Sequence, residues 1–138
     1  MSPKEFLQQA FVAHKEIEIR LEQITNLQAL ATQTTTVIKA APGRSNIFRS
    51  RVENAVILIQ EHTAQLADEV TRLIEVTKKI SSAIALVPNV NERAILEYRY
   101  LCFFSWQQIA AVMKTSVSNI FQTHRRALKN FGYCSKVQ

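Results

Sequence analysis

An apolar residue recurs every seven positions in the middle of the chain, and this repeat constrains the fold more than any other feature. The repeat occupies Val52, Ile59, Leu66, Leu73, Ile80 and Val87. A companion row, four residues further on, is expected at Val56, Thr63, Val70, Thr77 and Ile84. Two rows that persist for about five heptads are typical of a coiled-coil-like helix. We predict one helix from about Ile47 to Leu86.

A similar spacing lies nearer the N-terminus. Apolar residues step by threes and fours there, with Arg20 interrupting, at Phe6, Ala10, Ala13, Ile17, Ile24, Leu27 and Ala31. The β-branched run "TQTTT" weakens helix propensity, so this first helix is expected to fray or end between Thr36 and Ala41. The adjacent proline and glycine of "APGRSN", residues 41–46, then predict a loop.

Neither long helix can bury its apolar stripe alone. We therefore predict that the chain is all-α and that residues 1–87 fold as a long antiparallel helical hairpin, coiled-coil-like in its packing. Apolar surface that the two helices of the hairpin leave uncovered would be buried against a second copy of the chain. The hairpin is thus expected to form a homodimer or to bind another partner.

Pro88 ends the hairpin, and residues 88–138 predict a second domain of three short helices. The first should run from about Asn89 to Leu101. The second should open at Ser105, where "SWQQ" has the pattern of a capping box. The third should start after a serine or threonine N-cap in "KTS", residues 114–116.

Gly132 is expected to stop this last helix, because glycine is the usual residue just past a helix end. Arg125, Arg126 and Lys129 would then suit the negative end of the helix dipole.

Basic residues are concentrated in the last third of the chain. The whole chain carries a net charge of +6. Residues 89–138 hold seven basic and two acidic residues, a net +5, so the rest is close to neutral. A concentrated basic excess points to an anionic partner, and double-stranded DNA is the first candidate.

A capped helix of two turns, a three-residue turn and a longer helix are typical of a helix-turn-helix. Ala110 supplies the small residue where the two helices cross, and Ile120 supplies the early apolar residue of the second helix. That helix would enter the major groove with its N-terminal residues toward the base edges. The candidate base-reading residues are Val117, Ser118, Phe121 and Gln122. The candidate phosphate-binding residues are Ser105, Lys114, Ser116, Arg125, Arg126 and Lys129.

Four segments, "ERAILEYRYL", "SWQQIAAVM", "SVSNI" and "RRAL", follow one another within residues 91–131. In order and spacing they resemble region 4 of sigma factors, which reads the −35 promoter element. The resemblance places Val117, Ser118 and Gln122 at base-contacting positions. The chain departs from that family where "CFFSW" and "MKTS" lack the usual glycine and where Phe121 replaces a basic or polar residue. Promoter specificity is therefore not carried over.

A helical hairpin followed by a sigma-region-4-like end is similar to the ArpU and RinA type regulators of phages in Gram-positive bacteria. His124, Ala127 and Leu128 match the end of the last helix in that group. This resemblance implies a transcriptional regulator of phage or mobile-element genes, acting in the cytoplasm of a bacterial host cell.

Two alternatives stay open. A sigma-like factor would contact RNA polymerase as well as DNA. A phage assembly or interaction protein, such as a terminase small subunit, would also join a helix-turn-helix to a long hairpin. The sequence leaves the DNA target and the sign of regulation undefined.

Other functional classes find no support in the sequence. It contains no glycine-rich phosphate loop and no nucleophile elbow, so we expect no enzyme activity. The histidines are scattered and the two cysteines lack metal-type spacing, so no metal site or other cofactor is expected. No apolar run reaches the roughly 20 residues of a membrane helix, so no membrane partner is expected.

Overall fold

Five α-helices make up most of the residues that the computed structural model describes, which are 1–40, 43 and 45–136, with the side chains of 45 and 133–136 excepted. The predicted all-α class is confirmed, since no strand occurs in these residues. The helices are α1 (Pro3–Ala40), α2 (Ser45–Ile84), α3 (Val90–Tyr100), α4 (Trp106–Val112) and α5 (Val117–Lys136). Of the predicted loop at 41–46, residues 41, 42 and 44 lie outside the described residues, whereas the prediction is wrong for residues 45 and 46, which belong to α2.

Helix α1 ends at Ala40, inside the predicted interval. The threonine run does not interrupt it. The hydroxyls of Thr32, Thr34, Thr35 and Thr36 each donate to the carbonyl oxygen four residues earlier, at 2.8–3.2 Å. Such bonds satisfy the threonine hydroxyls within the helix, so the β-branched run is accommodated without a break.

The seven-residue repeat of α2 is confirmed, but its predicted companion row is wrong over its first part. All six residues of the repeat are shielded from solvent to some degree, whereas Val56, Thr63 and Val70 are exposed. The shielded companions lie three residues after each repeat position, at Ala55, His62, Glu69, Val76 and Ala83. The sequence pattern favoured the β-branched row because three of its five members are apolar. In the structure the polar pair, His62 and Glu69, is shielded instead.

The chain divides into two compact units. We call Lys15–Thr71 the stem unit, and Met1–His14 with Arg72–Gln138 the terminal unit. The boundary proposed from the sequence, between residues 87 and 88, falls inside the terminal unit. Val87 is fully buried there in a cluster that also contains Leu7 and Leu96.

In the stem unit, Arg20 occupies the position that interrupts the apolar spacing of α1. Its guanidinium donates to Glu69 and lies 2.7 Å from His62 Nδ1. Because a guanidinium has no acceptor, the His62 Nδ1 atom must accept this hydrogen bond. The charged residue that interrupts the apolar spacing of α1 therefore contacts polar residues of α2.

The main core of the terminal unit joins the beginning of the chain to its end. Its buried members come from α1, the end of α2, the segment between α2 and α3, α3 and α5: Leu7, Ala10, Ile80, Ile84, Val87, Leu96, Tyr100, Ala127 and Phe131. A second cluster joins α3, α4 and α5 through Ile95, Ile109, Ala110 and Ile120. The inward positions predicted for Ala110 and Ile120 are confirmed.

The short helices begin as the sequence indicates. Asn89 caps α3 by accepting from the Glu92 backbone N–H at 3.1 Å. Ser105 and Gln108 form the predicted capping box at the start of α4. Ser116 caps α5 by accepting from the Asn119 backbone N–H at 3.1 Å.

The prediction that Gly132 stops the last helix is wrong, because α5 continues to Lys136. Gly132 has no positive φ angle. A Cβ atom at this position would lie 2.9 Å from Pro3 Cγ. The glycine thus permits the close approach of α1 to α5. The helix-dipole argument for Arg125, Arg126 and Lys129 is also wrong, since these residues lie well before the end of α5.

None of the helices in the described ranges combines the length and the apolar composition needed to cross a membrane.

Candidate nucleic-acid interface

Two tight corners connect α3, α4 and α5, and each contains a non-glycine residue with positive φ. Phe103 has φ 60° in the corner before α4, and Lys114 has φ 55° in the corner before α5. The left-handed conformation costs a non-glycine residue about 1–2 kcal/mol. These are the two corners in which sigma-factor region 4 usually has glycine. In this chain both corners are left-handed without a glycine.

The corner after α4 has the hydrogen bonds of a Schellman motif. The Thr115 backbone N–H donates to the Ala110 carbonyl at 3.0 Å, and the Lys114 N–H donates to the Ala111 carbonyl at 3.4 Å. These bonds satisfy carbonyl groups at the end of α4. With Ser116 capping the next helix, the corner fixes the direction in which α5 leaves.

Helix α5 presents one strictly polar line to solvent. Ser118, Gln122, Arg125 and Lys129 are all exposed. At 3.6 residues per turn, these four positions lie within about 60° of one another. The opposite side carries the buried residues Ile120, Thr123, His124, Ala127 and Phe131. We call the exposed four residues the outward line.

Val117 and Phe121 flank the outward line on the side toward α4. Val117 is half-buried and packs against the second apolar cluster. Phe121 is 39% exposed, and its ring meets the Trp106 ring edge-on, with 5.2 Å between centroids. Of the two apolar residues predicted to read bases, Phe121 offers the more accessible surface.

Arg126 lies on the other flank, toward the start of α3. Its Nη2 donates to Thr123 Oγ1 at 3.2 Å. It lines a polar pocket of about 300 Å³ together with Asn89 and Glu92. Glu92 is only 5% exposed, and Asn130 Nδ2 lies 2.8 and 3.0 Å from its two carboxylate oxygens. Arg126 therefore faces a different direction from Arg125, and the predicted phosphate-binding residues do not form one surface.

The remaining predicted phosphate-binding residues lie at helix starts. The Oγ atoms of Ser105 and Ser116 already accept backbone N–H groups as caps. Each serine hydroxyl retains one hydrogen that it can donate to an anion. Ser116 and Lys114 are exposed, and Ser105 is half-buried.

A buried pair beneath the outward line was not predicted from the sequence. His124 Nε2 lies 2.8 Å from Tyr100 Oη, and the edge of the Trp106 ring packs against the histidine ring at 4.7 Å between centroids. Burial, together with the charges of Lys4 and Arg99, lowers the pKa of His124 to about 4. Burial also raises the pKa of Tyr100 to about 12. Both side chains are therefore neutral at pH 7.

Arg99 was also missed as a member of this site. Its guanidinium lies 4.4 Å from the centroid of the Trp106 ring, and Nη1 donates to the Phe104 carbonyl at 3.0 Å. A cation over the face of tryptophan is electrostatically stabilised. The only sequence signal was its place before Tyr100 in the segment that resembles sigma factors.

Among the described residues, no group of three or more histidine, cysteine or acidic side chains is arranged to hold a metal ion. The arrangement offers instead an exposed helix face with hydrogen-bonding and cationic groups. Comparison of the chain with protein-family models, with curated proteins and with solved structures gives no significant match.

Proposed function

We propose that this protein is a sequence-specific regulator of transcription that binds double-stranded DNA, with α4 and α5 acting as a helix-turn-helix and α5 reading the major groove. The resemblance of residues 91–131 to sigma-factor region 4 favours the same role. By the wider resemblance, the genes it controls belong to a phage or a mobile element.

The observation that carries this proposal is the outward line of α5. Its four residues are exposed, and they combine hydrogen-bonding groups near the helix start with cations further along. A recognition helix needs this order, because its N-terminal residues approach the bases while later residues approach the backbone.

Each group on this surface has a partner on DNA. The Gln122 amide can bind adenine with two hydrogen bonds, and the Ser118 hydroxyl can donate to or accept from several bases. The Phe121 ring can contact a thymine methyl group. Arg125 and Lys129 suit phosphate oxygens, and such contacts make binding depend strongly on salt.

The long helices supply the second part of the proposal, an antiparallel hairpin that forms a homodimer. In the stem unit, Arg20 of α1 contacts both His62 and Glu69 of α2. Exposed apolar side chains of the same unit that a second copy would cover include Ile19 and Leu30 on α1, and Val56 and Val70 on one side of α2. A dimer would present two α5 helices to two half-sites on DNA.

The test is charge reversal on the outward line. Arg125→Glu should abolish binding to the preferred site in a gel-shift or anisotropy titration. The matched control is Arg72→Glu on α2. Arg72 is an exposed arginine of the terminal unit, which also contains Arg125. If both variants bind DNA as the unaltered chain does, the proposal fails.

A second candidate function, contact with RNA polymerase, is favoured by the exposure of Phe121 beside Trp106. An aromatic residue on the surface often marks a protein interface. Phe121→Ala would separate the two functions. Normal DNA affinity with loss of transcriptional control would favour a protein contact, and loss of DNA affinity would favour base contact. An assembly role, as in a terminase small subunit, predicts a ring-shaped oligomer rather than a dimer.

A further inference from the structure

The first turns of α1 line a small pocket beside α4. The pocket has a volume of about 150 Å³, and its lining comes from α1, α3 and α4 of the terminal unit: Lys4, Gln8, Phe11, Arg99, Tyr100 and Trp106. Trp106 also touches Phe121, one of the residues that flank the outward line of α5. A residue from the start of the chain is thereby placed close to the candidate DNA-binding surface.

This pocket is electropositive. Lys4 and Arg99 contribute two cations, and among the described residues no carboxylate lines it. Both cations also lower the pKa of His124, so their charges act directly at α5. Arg99 is held by Trp106 and by the Phe104 carbonyl. Lys4 is exposed, and among the described residues its ammonium has no hydrogen bond or ion pair. Lys4 is therefore the cation that can reach an anion from solvent.

The position of Lys4 is fixed by packing of α1 against the C-terminal half of α5. The rings of Phe6 and Phe131 stack at 5.9 Å between centroids. Gly132 allows Pro3 to approach the α5 backbone closely. The neighbouring carboxylate, Glu5, accepts from the Ser2 backbone N–H at the start of α1. The first turn of α1 is thus packed into the terminal unit.

We propose that Lys4 binds a backbone phosphate of DNA at this pocket, so that the first turn of α1 belongs to the DNA-binding surface. This inference rests on the proposed function. When a recognition helix enters the major groove N-terminal end first, the groups that flank its later turns meet the phosphate backbone. Lys4 lines one pocket with Trp106, and the Trp106 ring contacts Phe121 beside the outward line.

The experiment compares Lys4→Gln with Lys15→Gln, using DNA duplexes of the preferred site and of random sequence over a range of salt concentrations. Lys15 lies on the same helix, eleven residues further on and in the stem unit, and its replacement makes the same change of charge. Loss of one phosphate contact lowers the slope of log K against log salt by about 0.9 and weakens binding roughly fivefold to tenfold near 0.1 M salt. We expect this from Lys4→Gln on both duplexes, with little change from Lys15→Gln. Lys4→Arg should retain the contact.

The outcomes separate this inference from the proposed function. If Lys4→Gln matches Lys15→Gln while Arg125→Gln weakens binding, the inference about Lys4 is overturned and the proposed function stands. If the unaltered chain binds no DNA, both are overturned. A thermal unfolding midpoint for Lys4→Gln equal to that of the unaltered chain is expected. A large drop in that midpoint together with the affinity would assign Lys4 a structural role and overturn the phosphate contact.

Discussion

The guanidinium of Arg20 donates from Nε and Nη2 to one carboxylate oxygen of Glu69, at 3.1 and 2.7 Å. The other oxygen of Glu69, Oε2, is buried and has no hydrogen-bond partner among the described residues. The two side chains are 22% and 16% exposed, so the pair is largely withdrawn from solvent. Arg20 therefore supplies nearly all of the hydrogen bonding and opposite charge that offset the burial of the Glu69 carboxylate.

Arg20→Met should destabilise the stem unit by about 3 kcal/mol, the low end for a buried pair because both side chains are partly exposed, since it leaves a shielded carboxylate without its cation. The double variant Arg20→Met/Glu69→Leu should recover most of this loss, since an apolar pair needs no compensation. Urea unfolding followed by circular dichroism measures both. Lys15→Met is the control, because its ion pair with Glu18 is exposed and should contribute less than about 1 kcal/mol. A double variant no more stable than Arg20→Met would contradict this account.

His124 should make stability depend on pH in the acidic range. Its folded pKa, about 4, lies below the usual 6.5, so the unfolded chain binds this proton more readily. The contribution of neutral His124 to the free energy of unfolding is complete above pH 6.5 and is lost as the pH falls toward 4. The free energy of unfolding should decline by about 1.4 kcal/mol per pH unit, or roughly 3 kcal/mol in all.

His124→Gln tests this assignment, because it removes the titrating group from the Tyr100 contact. The difference in unfolding free energy between His124→Gln and the unaltered chain should shrink as pH falls from 6.5 to 4. A difference that stays constant over this interval would rule out His124 as the source.

Gly132→Ala should destabilise the terminal unit despite the better helix propensity of alanine. Propensity favours alanine by about 1 kcal/mol. The new Cβ would lie 2.9 Å from Pro3 Cγ, however, and overpacking of this kind costs about 1–3 kcal/mol. Adding Pro3→Ala should relieve the conflict and make the double variant more stable than Gly132→Ala alone. Thermal unfolding of the unaltered chain, the two single variants and the double variant gives the coupling energy between positions 3 and 132. If the effects of the two substitutions simply add, a contact between the two residues is excluded.

Gln122→Ala and Arg125→Gln should affect DNA binding in different ways. Loss of the amide should relax specificity at one base pair, at a cost of about 1–3 kcal/mol on the preferred site only. Loss of the guanidinium should weaken binding to all duplexes and lower the salt slope by about 1. Titrations on the preferred site and on single-base variants distinguish the two. Equal effects of Gln122→Ala on every duplex would remove it from the base-reading residues.

The sequence by itself determined the elements that depend on local interactions. The heptad repeat predicted α2 to within two residues at each end, since an apolar period reports directly on a helix face. The caps Ser105 and Ser116 were equally readable, because a capping side chain bonds a backbone group only three residues away. The four residues of the outward line were all among the candidate DNA-binding residues of the sequence.

Contacts between residues far apart in the sequence were decided by the tertiary structure alone. From its neighbours in the sequence, Gly132 was predicted to stop a helix. The structure shows instead that the close approach of Pro3, 129 positions earlier, requires a glycine there. Arg20 reads as an interruption until Glu69 and His62 are placed beside it. Lys4 gives no local sign of belonging near α5. Periodicity and capping are local, whereas the charge partners, close approaches and shared surfaces of a side chain depend on how the helices pack.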